Sequence, residues 1–173
     1  MIQNAITGEH YVVRPLYQVE VSQMNLDRII KICNEDLVYQ WCFKDLCKGE
    51  KYPRELAVDW LTWGAEGWQN DTHYVYAIMD LSGNIAAACD IKSSNQERAE
   101  IGYWSSQEHR GVMTNAVQKV IQLADEAGFE VLFADIHPQN KRSHAVIRRC
   151  GFIQVDREST YEGHIPFDRV RFK

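Results

Sequence analysis

Between Val112 and Ala124 the apolar positions are Val112, Met113, Ala116, Val117, Val120, Ile121 and Ala124, a spacing that places all seven on one helical face. Gln118, Lys119, Gln122, Asp125 and Glu126 fall on the opposite, solvated face, and Gly128 stands where a helix ends in a left-handed residue. The period changes on either side. Glu100-Ile101-Gly102-Tyr103-Trp104 precedes the helix as a strand, and Glu130 to Ile136, rich in β-formers, follows it as another. A strand, a helix and a strand of these lengths make one βαβ unit, so the two strands run parallel. The polar stretch from Ser105 to Gly111 then lies at the carboxyl end of the first strand. Free N–H groups at the helix start make that loop a place for an anion, a phosphate above all.

The rest of the chain reads around this unit. Met1 to His10 carries little pattern, as an added edge or a mobile lead-in would. Tyr11 to Leu16 is a strand that Pro15 confines to an edge or an end. Ser22 or Asn25 caps a helix over Leu26 to Cys33. An aromatic stretch, Val38 to Phe43, and a loop at Lys48 to Lys51 lead to Pro53, suited to the first turn of a helix carrying Leu56, Ala57, Trp60, Leu61 and Trp63 and fading near Gly67. Tyr74 to Asp80 and Ile85 to Ile91 flank Leu81-Ser82-Gly83-Asn84 as a hairpin. After His137-Pro138-Gln139-Asn140 a short helix covers Ser143 to Cys150 and stops at Gly151; Phe152 to Glu158 and Phe167 to Phe172 pair as last strands. The class is α+β, with a mixed, mostly antiparallel sheet, helices on both faces and no domain boundary.

Composition narrows the function classes. The chain has 173 residues, 45% hydrophobic and 25% charged, with a net charge of −5, which describes a folded chain and a poor general nucleic-acid binder. Five cysteines at scattered spacings, with no secretory signal before them, fit reduced thiols in the cytoplasm. No apolar run is long enough to span a membrane. The histidines and cysteines lack metal-ligand spacing, so no metal is expected.

Three stretches in fixed order carry a family resemblance: Glu100 to Trp104; Arg110-Gly111-Val112-Met113-Thr114-Asn115-Ala116-Val117; and Asn140-Lys141-Arg142-Ser143 with Cys150-Gly151-Phe152. Together they resemble the GCN5-related N-acetyltransferases (GNAT), and within them the RimJ/RimL-like branch that acetylates ribosomal-protein N-termini. The resemblance implies one acetyltransferase-like domain over residues 1–173 whose parallel strands splay apart. It implies acetyl-coenzyme A as the acyl donor, its arm in the gap between the strands and its pyrophosphate on the loop. The acceptor would be a primary amine, on a protein N-terminus or a small molecule, attacking the thioester directly. Family members are often dimers. The residues implicated in cofactor binding are Tyr103, Trp104, Arg110, Gly111, Val112, Met113, Thr114, Asn140 and Ser143.

The chain departs from the family pattern twice. The loop is two residues short and keeps one glycine, Gly111, which reduces the N–H donors available to a diphosphate. The family's tyrosine proton donor, seven residues after the asparagine, is here Ile147. Ser143, three residues after Asn140, is the alternative donor to the departing thiolate in the N-terminal acetyltransferase branch, and a helix cap on the plainer reading. Glu100 is the candidate base for the amine, or else a strand carboxylate facing a cation. Lys141, Arg142, Arg148 and Arg149 form a basic helix, read as a solvated face that can also meet phosphate. These departures keep open a rival, a degenerate domain that binds coenzyme A, a peptide or a partner without turnover.

Overall fold

The hairpin around Gly83 forms the middle of one eight-stranded sheet. Its turn is fixed by Asp80, whose Oδ1 accepts the N–H groups of Ser82 (2.9 Å) and Asn84 (2.8 Å), and by Gly83 at φ +85°. In the computed structural model, which describes residues 1–171, the strands are β1 (Ile2–Gln3), β2 (His10–Pro15), β3 (Tyr74–Asp80), β4 (Ile85–Ile91), β5 (Ala99–Ser105), β6 (Val131–Ile136), β7 (Ile153–Gln154) and β8 (Ile165–Val170). They lie in the order β1-β2-β3-β4-β5-β6-β8-β7. Every pair is antiparallel except β5 with β6. The sequence reading of an α+β mixed sheet holds, and the lead-in before His10 is an edge strand paired to β2. Phe172, read as the end of the last strand, lies outside the described residues.

The helices are α1 (Gln23–Cys33), α2 (Asp36–Val38, continuing as a π-helical turn over Tyr39–Phe43), α3 (Arg54–Gln69), α4 (Met113–Ala127) and α5 (Lys141–Arg149). Ser22 caps α1 by accepting from Asn25 N–H. Pro53 stands just before α3 rather than within its first turn. Gly128 ends α4 at φ +95°, as its place in the pattern requires.

Each sheet face has its own core. Leu26, Ile29 and Ile32 of α1 and Ala57 and Leu61 of α3 cover one face. Val117, Val120 and Ile121 of α4 and Ile147 of α5 cover the other, with Phe167 of β8. A fully buried side chain of this size contributes about 1.5–3 kcal/mol, so these two stripes hold the helices to the sheet. All five cysteines are free. Among the described residues no helix is long and apolar enough to cross a membrane.

The parallel pair is short. Only Ala99 with Leu132 and Glu100 with Phe133 are in register. Beyond them β5 and β6 part, so a gap opens in the sheet towards the carboxyl ends of both strands.

Candidate active site

The gap leads into a cavity of about 630 Å³. The backbone of β5 explains its floor. Lys92 N–H donates to Glu100 O and Ser106 N–H to Ala86 O, so the even-numbered residues of β5 turn their peptide groups to β4. Tyr103 and Ser105 turn theirs to the gap, beyond the last residues that β6 meets. That free edge accepts an extended amide chain as an added strand would.

At the mouth the loop makes one 3₁₀ turn, Gln107–His109, and passes through Gly111 at φ +105° into α4. Val112 N–H is taken by His109 O (3.3 Å), and the Val112 side chain is fully buried, so this residue faces the core. Among the described residues no acceptor takes the N–H groups of Gly111, Met113, Thr114 or Asn115. Four open donors at a helix start, with the helix dipole behind them, form an anion site.

The cavity wall sharpens that character. Arg110, Lys141, Arg142 and Arg149 line it, and no Asp or Glu does. The first two turns of α5 thus face the cavity, where the sequence favoured a solvated helix. Arg148 instead lies over the Phe167 ring, 5.8 Å from its centroid.

The loop is braced from behind. Glu35 accepts from Ser106 Oγ–H and from Gln107 N–H, both at 2.6 Å. Lys31 (2.6 Å) and Arg28 (2.9 Å) donate to Glu108 and hold its carboxyl down to about 2. His109 lies between Tyr11 Oη and Arg28 Nη2, each 2.8 Å away. Burial lowers its pKa, and the adjacent Arg28 lowers it further. An arginine only donates, so His109 Nε2 accepts and the neutral ring carries its proton on Nδ1, towards Tyr11.

Asn140 caps α5 by accepting from Ser143 N–H (3.2 Å). The capping role considered for Ser143 therefore falls to Asn140. The Ser143 hydroxyl is left to pair with Tyr103 Oη at 2.6 Å across the gap. Burial raises the Tyr103 pKa, so its phenol keeps its proton. Tyr103, Trp104, Arg110, Gly111, Met113, Thr114, Asn140 and Ser143 all line the cavity.

Glu100 does not line it. Its carboxylate is 2.6 Å from Lys92 Nζ and accepts from Tyr161 O–H at 3.3 Å. It shares a sheet face with Gly102, and Gly102 lies opposite Asp90. A Cβ at Gly102 would sit 2.4 Å from Asp90 Oδ1, an atom that is buried with no hydrogen-bond partner. Burial raises the Asp90 pKa, against the pull of Lys92. Trp60 and Trp104 pack at 5.4 Å on this side, and Trp41 lies against His137 at 5.0 Å. Sequence reasoning missed Asp90, Lys92 and the Tyr103–Ser143 pair. Lys92 had a usable signal, since it and Glu100 flank the turn between β4 and β5 and meet across it.

The acetyltransferase (GNAT) domain family model matches residues 16–153. No curated protein matches the sequence. Among solved structures the chain is similar to RimL, a ribosomal L7/L12 alpha-N-protein acetyltransferase in complex with coenzyme A (TM-score 0.73, 14% identical, 98% of each chain covered). It is also similar to the ribosomal-protein-S5-alanine acetyltransferase of Vibrio fischeri (TM-score 0.68, 19% identical, 94% of this chain and 93% of that one). A third likeness is to the spermidine N-acetyltransferase of Vibrio cholerae in complex with coenzyme A and spermine (TM-score 0.69, 13% identical, 92% and 95%). At these identities the likeness is one of fold.

Proposed function

The chain belongs to the acetyltransferase (GNAT) domain family, and on that premise we propose that it moves an acetyl group from acetyl-coenzyme A to a primary amine. The observation that carries the reading is the charge of the cavity. A chain of net charge −5 gathers four cations and no carboxylate around one opening that ends on the open N–H groups of Gly111, Met113 and Thr114. That arrangement suits a nucleotide diphosphate. Acetyl-coenzyme A would supply a thioester, an acyl group already activated towards amines.

The chain's own residues then have defined tasks. The amides of Gly111, Met113 and Thr114 and the side chains of Arg110, Lys141, Arg142 and Arg149 hold phosphate oxygens. The gap edge of β5 holds the amide-rich arm. Ser143, hydrogen-bonded to Tyr103, gives a proton to the departing sulfur. Glu100 takes the amine's proton, directly or through water. The acceptor is the N-terminal amine of a protein or a small amine, the two kinds named for the similar structures.

A second reading has two observations in its favour: Ile147 is fully buried where many relatives carry a tyrosine donor, and Lys92 already occupies Glu100. It is a domain that binds coenzyme A without turnover. Thermal unfolding with acetyl-coenzyme A, followed by thiol release over a panel of peptides and amines, separates the two. Ligand at one hundred times its Kd adds about 2.7 kcal/mol, roughly 5–10 °C in Tm. A shift with thiol release supports the enzyme; a shift without release on any amine supports the second reading; no shift refutes both.

A further inference from the structure

The first residues of the chain reach the loop. β1 pairs with β2, Ile2 opposite Tyr11 and Gln3 opposite His10, and the turn between them is built on Asn4, only 2% exposed. Asn4 N–H donates to Glu9 O (2.7 Å), and its carbonyl accepts from Gly8 N–H (3.0 Å). Its Oδ1 accepts the N–H groups of Ile6 (2.8 Å) and Thr7 (3.2 Å). The remaining polar group crosses to the loop: Asn4 Nδ2–H donates to Arg110 O at 3.1 Å. Beside it Ala5 N–H donates to Gly111 O (3.2 Å), and Asn115 Nδ2–H donates to Gln3 O (2.6 Å).

We infer that this turn is a working part of the diphosphate site, with Asn4 the positioning residue that aims the Gly111 amide. The inference rests on the reading that the cavity holds a coenzyme A thioester. Its physical basis is the planar trans peptide, in which C=O and N–H point opposite ways. Drawing the Arg110 carbonyl onto Asn4 sends the N–H of the same peptide unit, that of Gly111, away from the turn, and no protein group takes it there. The contact is too close for any other residue at 111, where a Cβ would lie 2.3 Å from Asn4 Oδ1 and 2.9 Å from Ile6 Cγ1. Ala5 and Ile6 then complete the wall on that side of the cavity. Ile6 is an apolar side chain left 66% exposed at the rim, suited to the flat face of a nucleotide base.

Two neutral variants test this. Asn4→Ser keeps a hydroxyl that can cap its own turn but cannot reach Arg110; Asn4→Ala loses all three side-chain bonds, to Ile6, Thr7 and Arg110. Coenzyme A affinity is measured by calorimetry. Acetyl transfer to the amine the wild type uses best is measured with acetyl-coenzyme A and with S-acetylpantetheine, which has the thioester and arm but no diphosphate. We expect coenzyme A to bind at least tenfold more weakly to Asn4→Ser, with kcat/KM for S-acetylpantetheine within twofold of wild type when both are assayed well below the variant's lowered Tm. A merely structural role would lower both donors' rates together, and that result overturns the inference. Variant affinity within twofold of wild type also overturns it while leaving the proposed function intact. A wild type that binds no coenzyme A overturns both.

Discussion

Replacing Gly111 by alanine tests how tightly the loop and the N-terminal turn are joined. The new methyl meets Asn4 Oδ1 at 2.3 Å and Ile6 side-chain carbons at 2.9 and 3.0 Å. Such separations cannot stand, so the turn must move. The φ of +105° costs an L-residue about 1–2 kcal/mol by itself. Displacing Asn4 breaks its bond to Arg110 and leaves a buried amide short of a partner, about 1–3 kcal/mol more. The sum is about 2–5 kcal/mol, bounded above by the cost of peeling β1 away from β2 and α4. Urea unfolding followed by tryptophan fluorescence would give the stability change, and a coenzyme A titration of the same protein the affinity. We expect a loss of at least 2 kcal/mol, or a smaller loss with affinity down more than tenfold where the turn detaches instead. A variant within 0.5 kcal/mol of wild type that binds coenzyme A normally would refute this account of the glycine.

Further perturbations probe other parts of the site. Ser143→Ala should lower kcat about 10²-fold, the lower end for general acid catalysis, with coenzyme A affinity unchanged; an unaltered kcat would remove it as proton donor. Glu100→Gln should likewise reduce the rate without changing coenzyme A binding, and the loss should shrink at high pH, where more amine arrives unprotonated; a pH-independent loss would point to damaged packing around Lys92. The His109 pKa is lowered in the folded chain, so the unfolded chain binds the proton more readily. Stability from this residue is therefore complete above the unfolded value of about 6.5 and declines as pH falls below it. His109→Gln should flatten the dependence of the urea midpoint between pH 7.5 and 5.5; an unchanged slope would assign it to other groups.

Local pattern and elementary geometry carried much of this fold. The face of α4, the left-handed Gly128 and the hairpin at Gly83 are each written in a few adjacent residues. The parting of β5 and β6 came from the family resemblance, and the register at Ala99 and Glu100 agrees with it. Features that depend on distant partners were not legible. A two-residue strand such as Ile2–Gln3 has no period to detect, and Asn4 matters only because Arg110 lies beside it in space. The cations of α5 read as a soluble helix face because the cavity that turns them to use is made by β5, α2 and the N-terminal turn. Glu100 reads as a base or as a strand carboxylate facing a cation, and only the sheet identifies that cation as Lys92.

The bond from Asn4 to Arg110 spans 106 positions of chain. On the ribosome the first strand must therefore wait, unpaired or held provisionally, until the loop and the start of α4 have emerged. Closing so long a loop is slow compared with forming a helix or a hairpin. Ligand capture during refolding should then lag behind the burial of the tryptophans. The binding site becomes a clock for a long-range closure rather than a local one.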